Sequence, residues 1–163
     1  AAPSDWGARI ESMFEVEALG TIDEAAAALA LASNLGGILA VGLEPGTMHL
    51  LRVRGRNTLA ERTPAGHTDE WGGIAPNVLR YGVLEPLWGV SDDDLRAGLV
   101  EYTHEAHEVV QRAETGDTVG FLLNPVSVAE VMLLADQGER MPQKSTFFYP
   151  KMGTGLVFHP LYP

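Results

Sequence analysis

Cysteine is absent from the chain. That excludes disulfides, thiolate zinc sites and a cysteine nucleophile, and it fits a cytoplasmic protein. Long apolar runs are lacking too. The longest, "AAAALALA" and "GGILAVGL", fall well short of the ~20 residues that span a bilayer, so no membrane association is expected. No basic segment followed by an apolar stretch stands at the start, so no signal peptide is visible. Lysine is nearly missing, with only Lys144 and Lys151 present. Together with a formal charge of −11, this argues against nucleic acid, which needs several lysines or arginines on one face. Acidic residues are in turn absent near the C-terminus. Residues 1–140 carry nine arginines against 22 acidic side chains, whereas residues 141–163 carry two lysines and no acid. An anionic ligand finds its best reception there.

With 163 residues, 45% apolar and 20% charged, the chain can bury a core as one soluble globular domain spanning 1–163. It opens "AAPSDWGARIESMFEV", with no initiator methionine and no helix or strand start before Ile10. This reads as a fragment of a longer protein or a processed product.

Three helix starts are legible. Thr21 with Glu24, Ser91 with Asp94 and Ser127 with Glu130 each place a hydroxyl at the N-cap and a carboxylate three residues on. Such a pair satisfies orphan amide donors of a first turn. Val90 with Leu95, and Val126 with Val131, add hydrophobic staples to the second and third. The alanine-rich first helix ends near Asn34, before Gly36 and Gly37. "GGILAVGL" and "TMHLLRVRG", separated by Glu44-Pro45-Gly46, read as a β-hairpin, with "SMFEVEALG" as a candidate strand before it. Pro76 to Trp88 reads as a helix ending at Gly89, with Val78, Leu79, Val83, Leu84 and Leu87 on its apolar side.

Residues 95–114 allow two readings. One is a continuous helix through Leu95, Leu99, Tyr102, Ala106 and Val109. The other, preferred because of Gly98 and the β-prone "LVEYT", is a short helix, a strand, then a helix from His104 to Glu114. "DTVGFLLNP" and "TGLVFHP" are further strands, and the third capped helix runs to Ala135. The alternation predicts a layered α/β domain with a mixed, partly antiparallel sheet and helices packed on it. Residues 55–72 form the one long polar connection, of the kind that is functional, mobile or a linker.

The stretch "GERMPQKS" (138–145) nearly matches the phosphate-binding pattern G-x-x-x-x-G-K-[ST]. Gln143 stands where glycine lets backbone N–H groups close on phosphate, and Pro142 has no N–H to offer. The adjoining "TFFYP" is β-prone where a helix should start, so this is not a P-loop. A looser reading holds that a proline-bounded segment presents Lys144, Ser145, Thr146, Tyr149 and Lys151 to a phosphate or carboxylate. The competing reading packs Phe147, Phe148 and Tyr149 on the core and leaves the lysines in water.

Other constellations are weaker. His104, His107 and Glu108 share one helix face, but the histidines are three apart, unlike the zinc peptidase pattern, and a solvated polar face explains them. No metal ligand set is assigned. His49, His67 and His159 show no evident partner. Asp92, Asp93 and Asp94 are explained by capping and the helix dipole. Glu85, in the apolar "LEPLWG", is a candidate acid/base or ligand if partly buried, or the partner of an arginine.

"GERMPQKSTFFYPKMGTGLVFHPL" resembles the C-terminal signature M-P-x-K-S-T-x-F-Y-P-K of the bacterial and archaeal family called domain of unknown function 1015. "IAPNVLRYGVLEPLWGV" and "EYTHEAHEVVQRAETGDTVGFLLNP" resemble its preceding blocks, so the resemblance covers residues 71–161. It departs at His104, where the family carries an acidic residue, and in the family's N-terminal half, which has no counterpart here. Family members are often labelled by a gene association with phosphoserine phosphatase. The resemblance thus implies a part in a small-molecule phosphotransferase resembling a serine kinase, using ATP and Mg²⁺. Its partners would be a small anionic metabolite or nucleotide and the missing half of the protein. The fragment alone is then expected to be inactive. The alternative is a structural or self-association module, a homo-oligomer among its forms.

Overall fold

The computed structural model describes residues 1–31, 37–116 and 118–146. Its strands are β1 (Phe14–Leu19), β2 (Ile38–Glu44), β3 (Thr47–Val53) and β4 (Gly120–Leu123), in the sheet order β1-β3-β2-β4. The helices among the described residues are α1 (Trp6–Ile10), α2 (Ile22–Leu31), α3 (Arg56–Ala60), α4 (Asp69–Gly73), α5 (Ala75–Leu79), α6 (Glu85–Trp88), α7 (Asp92–Arg96), α8 (Ala106–Glu114) and α9 (Val128–Asp136).

The hairpin β2–β3 turns at Pro45-Gly46, where Gly46 has φ 72° and supplies the left-handed residue the turn needs. β2 is apolar at nearly every position because both its faces are covered. On one face Ile38, Ala40 and Leu51 meet Ile10, Val78 and Val83. On the other, Leu39 and Leu50 meet Ala25 and Leu29 of α2, and Val41 meets Val110 and Ala113 of α8. The result is the layered α/β domain that the alternation of elements indicates. All pairings among the described residues are antiparallel. The strand expected at "TGLVFHP" lies outside them.

The three caps form. The Thr21 hydroxyl accepts from the Glu24 N–H, and Ser91–Asp94 and Ser127–Glu130 make complete capping boxes. The apolar side read into Pro76–Trp88 faces the core, with Val78, Val83 and Leu87 buried. That helix is not uniform. Between α5 and α6 the residues Arg80–Leu84 widen into a π-helical turn, in which the Glu85 N–H reaches Arg80 O. Pro86 causes this: its ring crowds the carbonyl four residues back and it has no N–H to give. Gly89, at φ 65°, ends the helix.

Four expectations need correction. A helix does start before Ile10: α1 buries Trp6 and Ile10. Residues 99–103 form no strand and pair with none of the four strands. The polar stretch 55–72 is structured, holding α3 and the start of α4, whose Thr68 caps by accepting from the Trp71 N–H. Glu85 is exposed on α6 rather than half-buried, and the arginine one turn before it, Arg80, pairs instead with Asp92 at 2.6 Å.

Candidate functional site

The segment 140–146 is mounted on residues 67–71. Glu139 accepts the Thr68 backbone N–H at Oε1 (2.7 Å), and its Oε2 lies 2.8 Å from His67 Nδ1. The Thr68 hydroxyl donates to Gln137 Oε1 at 3.1 Å, and Trp71 Nε1 donates to Arg140 O at 2.8 Å. The His67 ring stacks on Trp71 with centroids 3.7 Å apart and planes 10° from parallel. Beneath, Trp71, Ile74 and Leu134 form a small core against which Met141 packs. The His67 hydrogen bond, helped by the Thr68 N–H, holds the Glu139 carboxyl below its usual range. His67 therefore has a partner after all, 72 residues away in sequence.

From this mount the chain enters a turn. Ser145 Oγ donates to Pro142 O at 2.6 Å and closes it. Lys144 sits inside the turn at φ 61°, the one non-glycine residue with positive φ among the described residues. An L side chain in the left-handed region costs of order 1 kcal/mol, a strain glycine escapes. Lys144 and Thr146 are exposed and Ser145 is half-buried. Because the Ser145 proton is committed to Pro142 O, that hydroxyl stabilises the turn and offers only lone pairs outward. Tyr149 and Lys151, with Phe147 and Phe148, lie outside the described residues.

Pro142, Gln143 and Lys144 line a groove of about 1290 Å³, whose lining also takes in Gly120–Leu123 of β4. Leu39 and Leu122 line it on one side, and Leu84, Trp88 and Phe121 on the other. Four basic side chains line it: Arg80, Arg96, Arg112 and Lys144. Three acidic ones do so: Asp92, Glu101 and Glu108. Lys144 and Glu108 are the lining charges that remain once the arginines are matched with their carboxylates. The arginines are held by carboxylates, Arg80 by Asp92, Arg96 by Asp93 and Arg112 by Glu101. Arg80 also lies over the Tyr81 ring at 4.8 Å, and its buried Nε has no hydrogen-bond partner. Glu85 is not part of this lining.

Of the other histidines singled out from sequence, His104 lines the same groove and His159 lies outside the described residues. His104 and His107 both approach Glu105, at 3.5 and 3.6 Å. His49 is 4% exposed, edge-on to Trp6 at 4.9 Å, and its burial lowers its pKa despite Glu44 nearby. No group of three histidine or acidic side chains among the described residues is placed to hold a metal. No helix there is long and apolar enough to cross a membrane. No family model, no curated protein and no solved structure matches the chain.

Proposed function

We propose that the chain supplies one wall of a binding site for a small phosphorylated or carboxylated metabolite. Lys144 is the charged contact, Thr146 a hydroxyl donor, and Ser145 the residue that sets the turn. The observation that supports this is the backbone at Lys144. A strained left-handed position that glycine would occupy freely instead carries the only described lysine, among the residues that line the groove. Tyr149 and Lys151 join the proposal on sequence grounds. Taken with the family resemblance, the chain is the C-terminal part of a small-molecule phosphotransferase, resembling a serine kinase, whose remainder supplies the base. ATP would be the phosphoryl donor. The described residues do not fit a resident Mg²⁺, since no three suitable ligands converge among them. What these residues do is offset the charge of the bound anion with the Lys144 ammonium.

A second reading, a self-association module, draws on α9, where Val128 is 71% and Met132 62% exposed.

Lys144→Gly separates the two, because it removes the ammonium and also relieves the left-handed strain. Thermal shifts are measured with phosphate, phosphoserine and ATP, for wild type and variant. The expected result is an anion that raises the wild-type Tm but not that of the variant, whose own Tm is equal or higher. An identical ligand shift in both proteins overturns the assignment.

A further inference from the structure

His49 is a buried titratable side chain that plays no part in the anion reading. It stands in β3, opposite Ala18 of β1 and Ala40 of β2. Side chains directly opposite one another share a face of the sheet, and Ala40 packs in the same cluster as Trp6 and Ile10 of α1. His49 Nδ1 is sealed from solvent and has no hydrogen-bond partner among the described residues. Trp6 closes over it, with ring centroids 4.9 Å apart and planes at 69°.

The charges on the surrounding elements leave that nitrogen unserved. β2 brings the Glu44 carboxylate to 3.8 Å from Nε2, the other ring nitrogen, and beyond hydrogen-bond reach. Glu17 of β1 and Arg52 of β3 pair with each other, on the opposite face, where Leu50 lies. In α1, Arg9 is held by Asp5 at 2.9 Å. A neutral ring with its proton on Nε2 leaves Nδ1 a bare lone pair. Protonation turns Nδ1 into a cationic N–H with neither acceptor nor water, which a core tolerates poorly. The indole attracts a cation, but it does not replace the water that an open site would admit.

The elements around His49 are not equally firm. β3 is hydrogen-bonded to a strand on each side. α1 is a five-residue helix anchored by Trp6 and Ile10, with Arg9 donating to Leu87 O at 3.5 Å. We propose that α1 is an acid-released latch: protonation of His49 lifts Trp6 off the sheet and admits water to Nδ1, while the four strands stay paired. Lifting Trp6 and Ile10 uncovers the cluster they complete, Phe14 and Leu51 included, so the acid form presents an apolar surface that the neutral form hides.

The direction with pH follows from linkage. Burial lowers the pKa of His49 in the closed form, whereas an open ring titrates near ~6.5. Opening is therefore favoured as pH falls below ~6.5, by up to about 30-fold at pH 5. The Asp5 carboxyl is held below its usual range by Arg9, so that pair is intact at pH 5 and does not contribute.

The test is amide exchange at pH 7.5 and 5, corrected for intrinsic rates. A helix of five residues does not keep its hydrogen bonds in water once undocked, so protection over residues 6–13 should fall by up to about 30-fold, while residues 48–51 stay protected. His49→Phe should remove the pH dependence over 6–13. Glu44→Gln, which withdraws the carboxylate favouring the closed cation, should leave release at pH 5 equal or stronger. Unchanged or higher protection over 6–13 at pH 5, equal loss over 48–51, or weaker release in Glu44→Gln overturns the proposal. So does the same acid response in His49→Phe; should that variant not fold, the comparison of the two segments in the wild type decides alone.

Discussion

Gly82 lies in the π-helical turn directly over the start of β1. A Cβ built there falls 2.7 Å from Met13 Cε, 2.8 Å from Met13 Sδ and 2.8 Å from Phe14 Cζ. Ordinary contacts between carbons are ~3.5–4.0 Å, so Gly82→Ala overlaps its neighbours by roughly 0.7–1.3 Å. Two effects oppose each other. Alanine favours a helical backbone over glycine by about 1 kcal/mol. Overpacking a filled core costs about 1–3 kcal/mol. The Met13 end can swing aside, but the Phe14 ring is 0% exposed and has nowhere to go. Three such overlaps belong in the upper part of that range, about 2–3 kcal/mol, so packing should win with a net loss of about 1–2 kcal/mol. For a domain of this size that lowers Tm by roughly 2–8 °C. Gly7, in α1, provides the control, since nothing lies within 4 Å of a Cβ built on it. Gly7→Ala should therefore be neutral or stabilise by up to about 1 kcal/mol. Urea unfolding followed by tryptophan fluorescence, with Tm by calorimetry, reads both variants. If Gly82→Ala is as stable as wild type, the core has room that the structure denies, and the reasoning fails.

Three further outcomes are expected. His49 is buried and its pKa is lowered, so the unfolded chain takes up the proton first. The stability this gives is full above the unfolded pKa of ~6.5 and is lost as pH falls through the folded value. Urea midpoints between pH 7.5 and 5 should decline less for His49→Phe, and parallel declines would refute the assignment. Glu139→Gln weakens the contact with His67 that lowers the Glu139 pKa. It should speed amide exchange over residues 141–145 more than elsewhere, and unchanged exchange there would show that the mount does not hold the turn. Ser127→Ala removes the hydroxyl that accepts from the Glu130 N–H and should cost about 1 kcal/mol in urea unfolding; a loss below about 0.3 kcal/mol would mean that water caps α9 as well.

What the sequence disclosed was local. Ser91–Asp94 and Ser127–Glu130 are three residues apart, and Pro45-Gly46 turns a hairpin whose strands are contiguous, so short-range chemistry sufficed. The continuous apolar run of β2 likewise announces a strand covered on both sides. The clasp between His67 and Glu139 was invisible because no periodicity or motif links residues 72 apart. The β-prone "LVEYT" misled because a strand forms only where its backbone pairs with another, and residues 99–103 pair with none of the four strands. Glu85 looked buried from its apolar neighbours, but on a helix those neighbours turn inward while Glu85 faces out. The Lys144 turn was found by charge segregation, whereas its left-handed backbone had no signal beyond Pro142 nearby.

The wide separation of β2 from β4 has a consequence during synthesis. β3 succeeds β2 at once, but the partner of Ile38 is Leu123. Once Val53 has left the ribosome the hairpin can close, while the other side of β2 stays bare until residue 123 emerges. At ~5–20 residues per second that interval is roughly 4–14 s. Throughout it a flat "ILAV" ribbon is open to any neighbouring nascent chain, so yield in cells should depend on chaperone supply more than the finished protein's stability suggests.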